Sequence, residues 1–299
     1  MKRKPLDKKI IILRLLMVLA IVTGILYYYA FIFAPGRIPF PLRIATWKKP
    51  VDVLILGTDI SYDAETHKVR KDLPVRSDTM IIMHYDPSRA KVVFLSVPRD
   101  TYVNIEDFRP HKINVAFARG GKDLTLKSVN DLTGLDIKKY VIVNTRGLIK
   151  LVDLVGGVEV DVPKDLYYVD RAGGININLK KGPQKLGGKE AEGFVRFRMD
   201  IWGDIGRIER QQMFLNAFFK AACSPLTILK APFILKIITA NLESDLSLKD
   251  FIILANTYRM GGLKEVKTFT VPGEPGYNEV GSVWLVNKKE LSELISANF

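Results

Sequence analysis

Cysteine is nearly absent: Cys223 stands alone. A lone thiol excludes an internal disulfide and any multi-cysteine metal site. Histidine is almost as scarce. His67, His84 and His111 are scattered, a spacing that argues against a histidine-built zinc site. No GxxxxGK[ST] phosphate loop, GxGxxG turn, GxSxG elbow or HExxH helix occurs. The common nucleotide-binding, serine-hydrolase and zincin chemistries therefore have no support here. Acidic residues are also in deficit. Across 299 residues, 32 Asp and Glu face 45 Lys and Arg, a formal net charge of +13 at pH 7. That excess favours a polyanionic partner: nucleic acid, anionic lipid, a phosphorylated substrate or an acidic polymer. Apolar residues at 47% and charged residues at 26% are ordinary for a globular protein and exclude a wholly disordered or collagen-like chain.

One hydrophobic run is long. Lys2, Arg3, Lys4, Lys8, Lys9 and Arg14 precede Leu15–Phe33, which carries no charge. At about 1.5 Å per residue this run spans roughly 28 Å, enough to cross a hydrocarbon core. Tyr27, Tyr28 and Tyr29 lie toward its far end, as an interfacial aromatic belt would. The run is too long for the core of a typical cleaved signal peptide. The expected organisation is a basic cytoplasmic tail (1–14), a transmembrane helix (15–34), a Pro/Gly-rich linker (35–47) and one extracytoplasmic domain (48–299). Under that topology the basic domain meets lipid phosphates, lipid-linked sugars and cell-wall polymers, and no nucleic acid.

Within 48–299, strand-like runs at 51–56, 79–85, 91–97, 140–144, 158–162, 266–271 and 282–286 interleave with helical patterns. Helices are expected at 123–132, 146–155, 204–222, 225–240 and 247–260, with a short terminal one opened by Asn287 and Glu290. Interleaved strands and helices predict an α/β fold, an α-β-α sandwich. The hairpin-like pair 79–85 and 91–97 makes its central sheet mixed.

Arginine and aspartate cluster at element ends. Arg76 and Asp78 lead into one strand, and Arg99 and Asp100 follow another. Arg196 and Arg198 flank Phe197, which in extended chain puts both arginines on one face. Arg207, Arg210 and Gln211 stand at i, i+3 and i+4 of the 204–222 helix, after Asp204. Arginine suits phosphate because its planar fork makes two parallel charge-assisted bonds. Asp59, after the first strand, and Asp78 are hard oxygen donors of the kind that hold magnesium together with phosphate oxygens. Each cluster alone also reads as a surface salt bridge or a solvated helix face.

The ordered set RSDTM (76–80), SVPRDTYV (96–103), HKINVAFARGG (111–121), LVDLVGGVEVDVP (151–163) and VRFRMDIWGDIGRIERQQ (195–212) resembles the LytR-CpsA-Psr family. The resemblance implies a membrane-anchored phosphotransferase outside the cytoplasmic membrane. Such proteins move an anionic glycopolymer from an undecaprenyl diphosphate carrier to peptidoglycan through a phosphodiester. It implies Mg²⁺, with Mn²⁺ as the alternative, on Asp59 and Asp78. It implies phosphate binding by Arg99, Lys112, Arg196, Arg198, Arg207 and Gln211, with Arg76 and Arg210 in the matched motifs. Asp204 matches the family's GD aspartate, and Arg99, Asp100 and Asp204 are the candidate catalytic group. The implied partners are a polyprenyl diphosphate-linked glycopolymer, peptidoglycan and the membrane. The prenyl channel is expected between the sheet and the helices near 123–155 and 204–222. Alternatives that use the same features are a polyprenyl diphosphate hydrolase, a non-catalytic wall-polymer anchor and, if the domain were cytoplasmic, a DNA-binding regulator.

Overall fold

The computed structural model describes residues 19, 22–23, 47, 49–58, 77–170, 175–199, 203–222, 242–247, 250, 253 and 265–299. The chain divides into two compact units, residues 1–45 and 46–299. In the first unit only Leu19, Val22 and Thr23 are described. They are helical, with Thr23 Oγ1 donating to Leu19 O at 2.8 Å. The remainder of the expected 15–34 span lies outside the described residues. Among the described residues no helix is long and apolar enough to cross a membrane. The helix expected at 225–240, and nearly all of that expected at 247–260, also lie outside the described residues.

The second unit opens with β1 (Val51–Thr58), β2 (Ser77–Asp86) and β3 (Lys91–Ser96). A short pair, β4 (Tyr102–Val103) and β5 (His111–Lys112), leads into α1 (Asn114–Thr133). Next come β6 (Lys139–Asn144), α2 (Thr145–Val155) and β7 (Val158–Val162). Three strands unforeseen in the sequence follow: β8 (Leu166–Asp170), β9 (Ile175–Leu179) and β10 (Gly182–Leu186). Then come α3 (Gly188–Arg196), α4 (Gly203–Ala222), β11 (Leu242–Ser244) and β12 (Glu265–Thr270). The hairpin β13 (Gly273–Asn278) and β14 (Gly281–Val286) precedes a last helix, α5 (Lys288–Asn298).

Six strands form the central sheet in the order β11-β6-β1-β2-β3-β12. β1 runs parallel to β6, and β3 parallel to β12. The β1–β2, β2–β3 and β6–β11 pairs are antiparallel, so the sheet is mixed. The β1 run VDVLILGT is almost unbroken in apolar character because the strand is covered on both faces. Leu54 and Leu56 pack with Val129 of α1 and Leu291 of α5. Val53 and Ile55 point the other way, into a layer that includes Leu215 and Phe219 of α4. Helices therefore cover both faces of the sheet.

Two local sequences set element ends. Asp86-Pro87 turns the β2–β3 hairpin: Asp86 Oδ1 accepts from Ser88 N at 2.8 Å and Ser88 Oγ at 2.7 Å. These bonds hold its carboxyl below the usual carboxylate range, against a smaller opposing effect of burial. Asn287 caps α5, accepting from Glu290 N at 3.2 Å. α1 begins nine residues before the expected helix, because the pattern breaks at Gly120 and Gly121. There φ and ψ leave the helical region (Gly121 φ 58°, ψ −146°), and the regular part resumes beyond.

A second apolar cluster lies beside the sheet. Val158, Val160, Leu166, Ile177, Leu186, Phe194, Phe197 and Phe214 bring β7–β10, α3 and α4 together. Gly188 makes this close packing workable, since a Cβ there would overlap the Ile149 carbonyl of α2.

Candidate active site

β1 and its parallel neighbour β6 end side by side, with Thr58 opposite Asn144. Beyond the carboxyl ends of such strands is where open α/β sheets take ligands. A cavity of about 470 Å³ lies there. Its wall is apolar: Ile55 of β1, Ile81 of β2, Val143 of β6, Leu148 and Leu151 of α2, and Phe214, Leu215 and Phe218 of α4. Its polar lining comes from Asp78 and Thr79 of β2, Glu192 and Arg196 of α3, Arg198, and Arg207 and Gln211 of α4. Gly57 is needed for the strands to close here. It pairs with Thr79, and a Cβ on it would come within 2.9 Å of the Thr79 Cβ.

Charges alternate along this lining. Arg198 Nη2 lies 3.6 Å from Asp78 Oδ2, and Arg99 Nη1 donates to Asp78 Oδ1 at 2.9 Å. Arg99 Nε is 3.5 Å from Asp100 Oδ2, and Lys112 Nζ 3.0 Å from Asp100 Oδ1. On α3, Arg196 Nη1 donates to Glu192 Oε1 at 2.9 Å, an i,i+4 pair. Arg207, buried, reaches Asp78 O at 3.4 Å. Gln211 Nε2 donates to Thr79 Oγ1 at 2.9 Å and so ties α4 to β2.

The loop carrying Arg99 and Asp100 is pinned by its backbone. Asn114 N donates to Arg99 O at 3.2 Å, and Trp284 N to Asp100 O at 2.9 Å. Beside it Tyr102 Oη donates to Glu279 Oε1 at 3.2 Å. Partial burial, then the Glu279 carboxylate, raises its phenol above the ordinary value. Arg99, Lys112, Arg196, Arg198 and Arg207 thus share the site with Asp78, Asp100 and Glu192. Five cations against three carboxylates is a surplus that a bound polyanion would neutralise.

The structure sorts the residues singled out in the sequence. Asp78, Arg196, Arg198, Arg207 and Gln211 line the cavity, and Arg99 reaches it through Asp78. Lys112 and Asp100 form the next link outward. Asp59 and Arg76 lie outside the described residues. Asp204 stands in the first turn of α4, and only its backbone is described. Arg210 departs from the expected shared face with Arg207. It is buried, its Nη2 donates to Phe197 O, and its guanidinium sits 5.2 Å from the Phe197 ring centroid. Arg196 and Arg198 do meet at the cavity, but not by strand alternation. Arg196 ends a helix, and buried Phe197 anchors the chain as it leaves. α1 stands on the opposite face of the sheet, so α2, α3 and α4 make the cavity wall, without the 123–133 segment.

Thr58, Asn144, Tyr168 and Glu192 are lining residues that the sequence reading did not single out. Only Glu192, four before Arg196, carried a signal.

Residues 40–298 match the model of the LytR_cpsA_psr family. The regulatory protein MsrR of Staphylococcus aureus (strain COL) is 30% identical over 252 residues, 82% of this chain and 73% of that protein. The polyisoprenyl-teichoic acid–peptidoglycan teichoic acid transferase TagU of Oceanobacillus iheyensis is 33% identical over 258 residues, 83% of this chain and 75% of that protein. The crystal structure of Bacillus subtilis TagV superposes with a TM-score of 0.70 at 29% identity, covering 85% of this chain and 98% of that one. With its family model matched across nearly the whole 46–299 unit, the chain belongs to the LytR_cpsA_psr family.

Proposed function

We propose that this chain is a membrane-anchored phosphotransferase. It moves an anionic glycopolymer from a polyprenyl diphosphate carrier to peptidoglycan, forming a phosphodiester on the outer side of the membrane. One observation carries the reading. A single cavity joins a long apolar wall to a cluster of arginines, the two chemistries that a prenyl diphosphate combines. The TagU name supports it at the level of the family.

The apolar wall holds the prenyl tail, and each buried CH₂ contributes about 0.8 kcal/mol. Arg99, Arg196, Arg198 and Arg207 bind the diphosphate and neutralise the charge that develops on it. The acceptor hydroxyl attacks the glycan-side phosphorus, and the prenyl phosphate leaves with the bridging oxygen. Asp100, fixed by Arg99 and Lys112, takes the hydroxyl proton. Magnesium would sit on Asp78 and Asp59. Asp78 is a hard oxygen donor facing the cavity, and Asp59 follows the lining residue Thr58 in sequence. Among the described residues no group of three or more carboxylate, histidine or cysteine side chains could hold a metal. Phosphate oxygens of the donor would complete the shell of a metal held there, as is usual for this ion. When bound it supplies charge neutralisation at the diphosphate.

The test is organic extraction of the purified full chain, with mass spectrometry for prenyl phosphate or diphosphate. Arg196→Ala/Arg198→Ala is run alongside. The wild type should carry lipid and the variant should not. Absence from both, even after carrier lipid is added, would refute the reading. EDTA should abolish transfer and magnesium restore it. Transfer indifferent to EDTA would remove the metal from the mechanism.

A further inference from the structure

A polyprenyl carrier would enter the cavity from a bilayer. β8 and β9 pair with Tyr167 opposite Asn178 and Val169 opposite Asn176. Side chains alternate along a strand, so these four share one face of the hairpin. The opposite face is core, and Tyr168 on it lines the cavity. The outward face bears no charge at these four positions, in a chain where 26% of residues are charged. Tyr167 is 70% exposed and Val169 43% exposed. Met199, which also lines the cavity, is 65% exposed and so marks its opening.

Single exposed apolar residues are ordinary on a soluble surface. Of the six large ones exposed among the described residues of the 46–299 unit, Met199 lines the cavity, and Tyr167 and Val169 flank the lining residue Tyr168. A tyrosine with an apolar body and a wet tip, beside amides instead of carboxylates, suits the headgroup boundary of a membrane. No carboxylate at these positions repels anionic lipid.

Resting on the lipid-carrier reading, we infer that the outward face of β8–β9, together with Met199, is a membrane-docking surface. It seats the cavity opening against the bilayer, so that a prenyl tail passes from lipid to protein without crossing water.

The test uses the full chain in a Cys223→Ser background, in vesicles of phosphatidylcholine and phosphatidylglycerol. An environment-sensitive fluorophore is placed at Val169→Cys or, as the control, at Tyr277→Cys on the exposed end of β13. The label at 169 should shift to the blue and be quenched by spin-labelled lipid. The label at 277 should remain open to iodide. Equal iodide access at both positions would overturn the inference, and neither readout depends on transfer. In a second arm, Tyr167→Asp/Val169→Asp should lose most transfer from vesicle-embedded donor while keeping transfer from detergent-solubilised donor. An equal loss in both would also overturn it. No transfer by the wild type, with label 169 still quenched, would instead refute the transferase reading alone.

Discussion

Two arginines of one motif should fail in opposite ways when truncated. Arg210 is 3% exposed, donates to Phe197 O and stacks over the Phe197 ring. Arg198 has a side chain 39% exposed and meets Asp78 at 3.6 Å. For Arg210→Ala, losing a charged hydrogen bond costs about 1.5–3 kcal/mol. Losing a desolvated cation–π contact adds about 1–2 kcal/mol. At about 2–4 °C per kcal/mol for a domain of this size, the melting temperature should fall by roughly 5–20 °C. Arg198→Ala removes a solvent-screened pair worth about 0–1 kcal/mol, so its melt should move by no more than about 4 °C. Differential scanning fluorimetry of the detergent-solubilised chain reads the first quantity, and donor retention or transfer reads the second. Arg198→Ala should fold and lose transfer. Arg210→Ala should lose stability first, and activity only with it. An Arg210→Ala protein that melts like wild type yet retains no donor would show that Arg210 binds phosphate, and the assignment from its buried contacts would fall.

Other outcomes follow from single contacts. Leu148→Trp should narrow the cavity; excluding one isoprene unit forfeits about 4 kcal/mol of burial, so lipid retention should drop steeply. Unchanged lipid content by mass spectrometry would relocate the tail. Gly188→Ala should force α3 away from the Ile149 carbonyl and lower the melting temperature, and a neutral result would show that the α2–α3 contact is looser than described. Asp86 has a depressed folded-state pKa, so its contribution is fully present above its ordinary value of 3.8 and is lost as pH falls through the folded value. The urea midpoints of wild type and Asp86→Asn should therefore converge below about pH 3.8 and separate above it. A constant gap across that range would mean the turn bonds do not depend on the carboxylate.

Local chemistry was legible in the chain. The strand-like run at 51–56 and the Asn287 cap were readable from residue types a few positions apart, and each formed where the pattern placed it. The family motifs likewise contain Asp78, Arg196, Arg198, Arg207 and Gln211, all of which line the cavity. The β8–β10 strands escaped notice because each is only five residues long, too short to show a clear alternation. Tertiary structure alone decided the rest. Spacing on a helix fixes an angle between side chains but not what each one meets, so Arg207 turned to the cavity and Arg210 to the Phe197 carbonyl. The apolar wall is likewise assembled from β1, β2, β6, α2 and α4, whose residues lie far apart in sequence. Periodicity marks each of them as buried, and only the packed sheet shows that together they enclose a space instead of filling it.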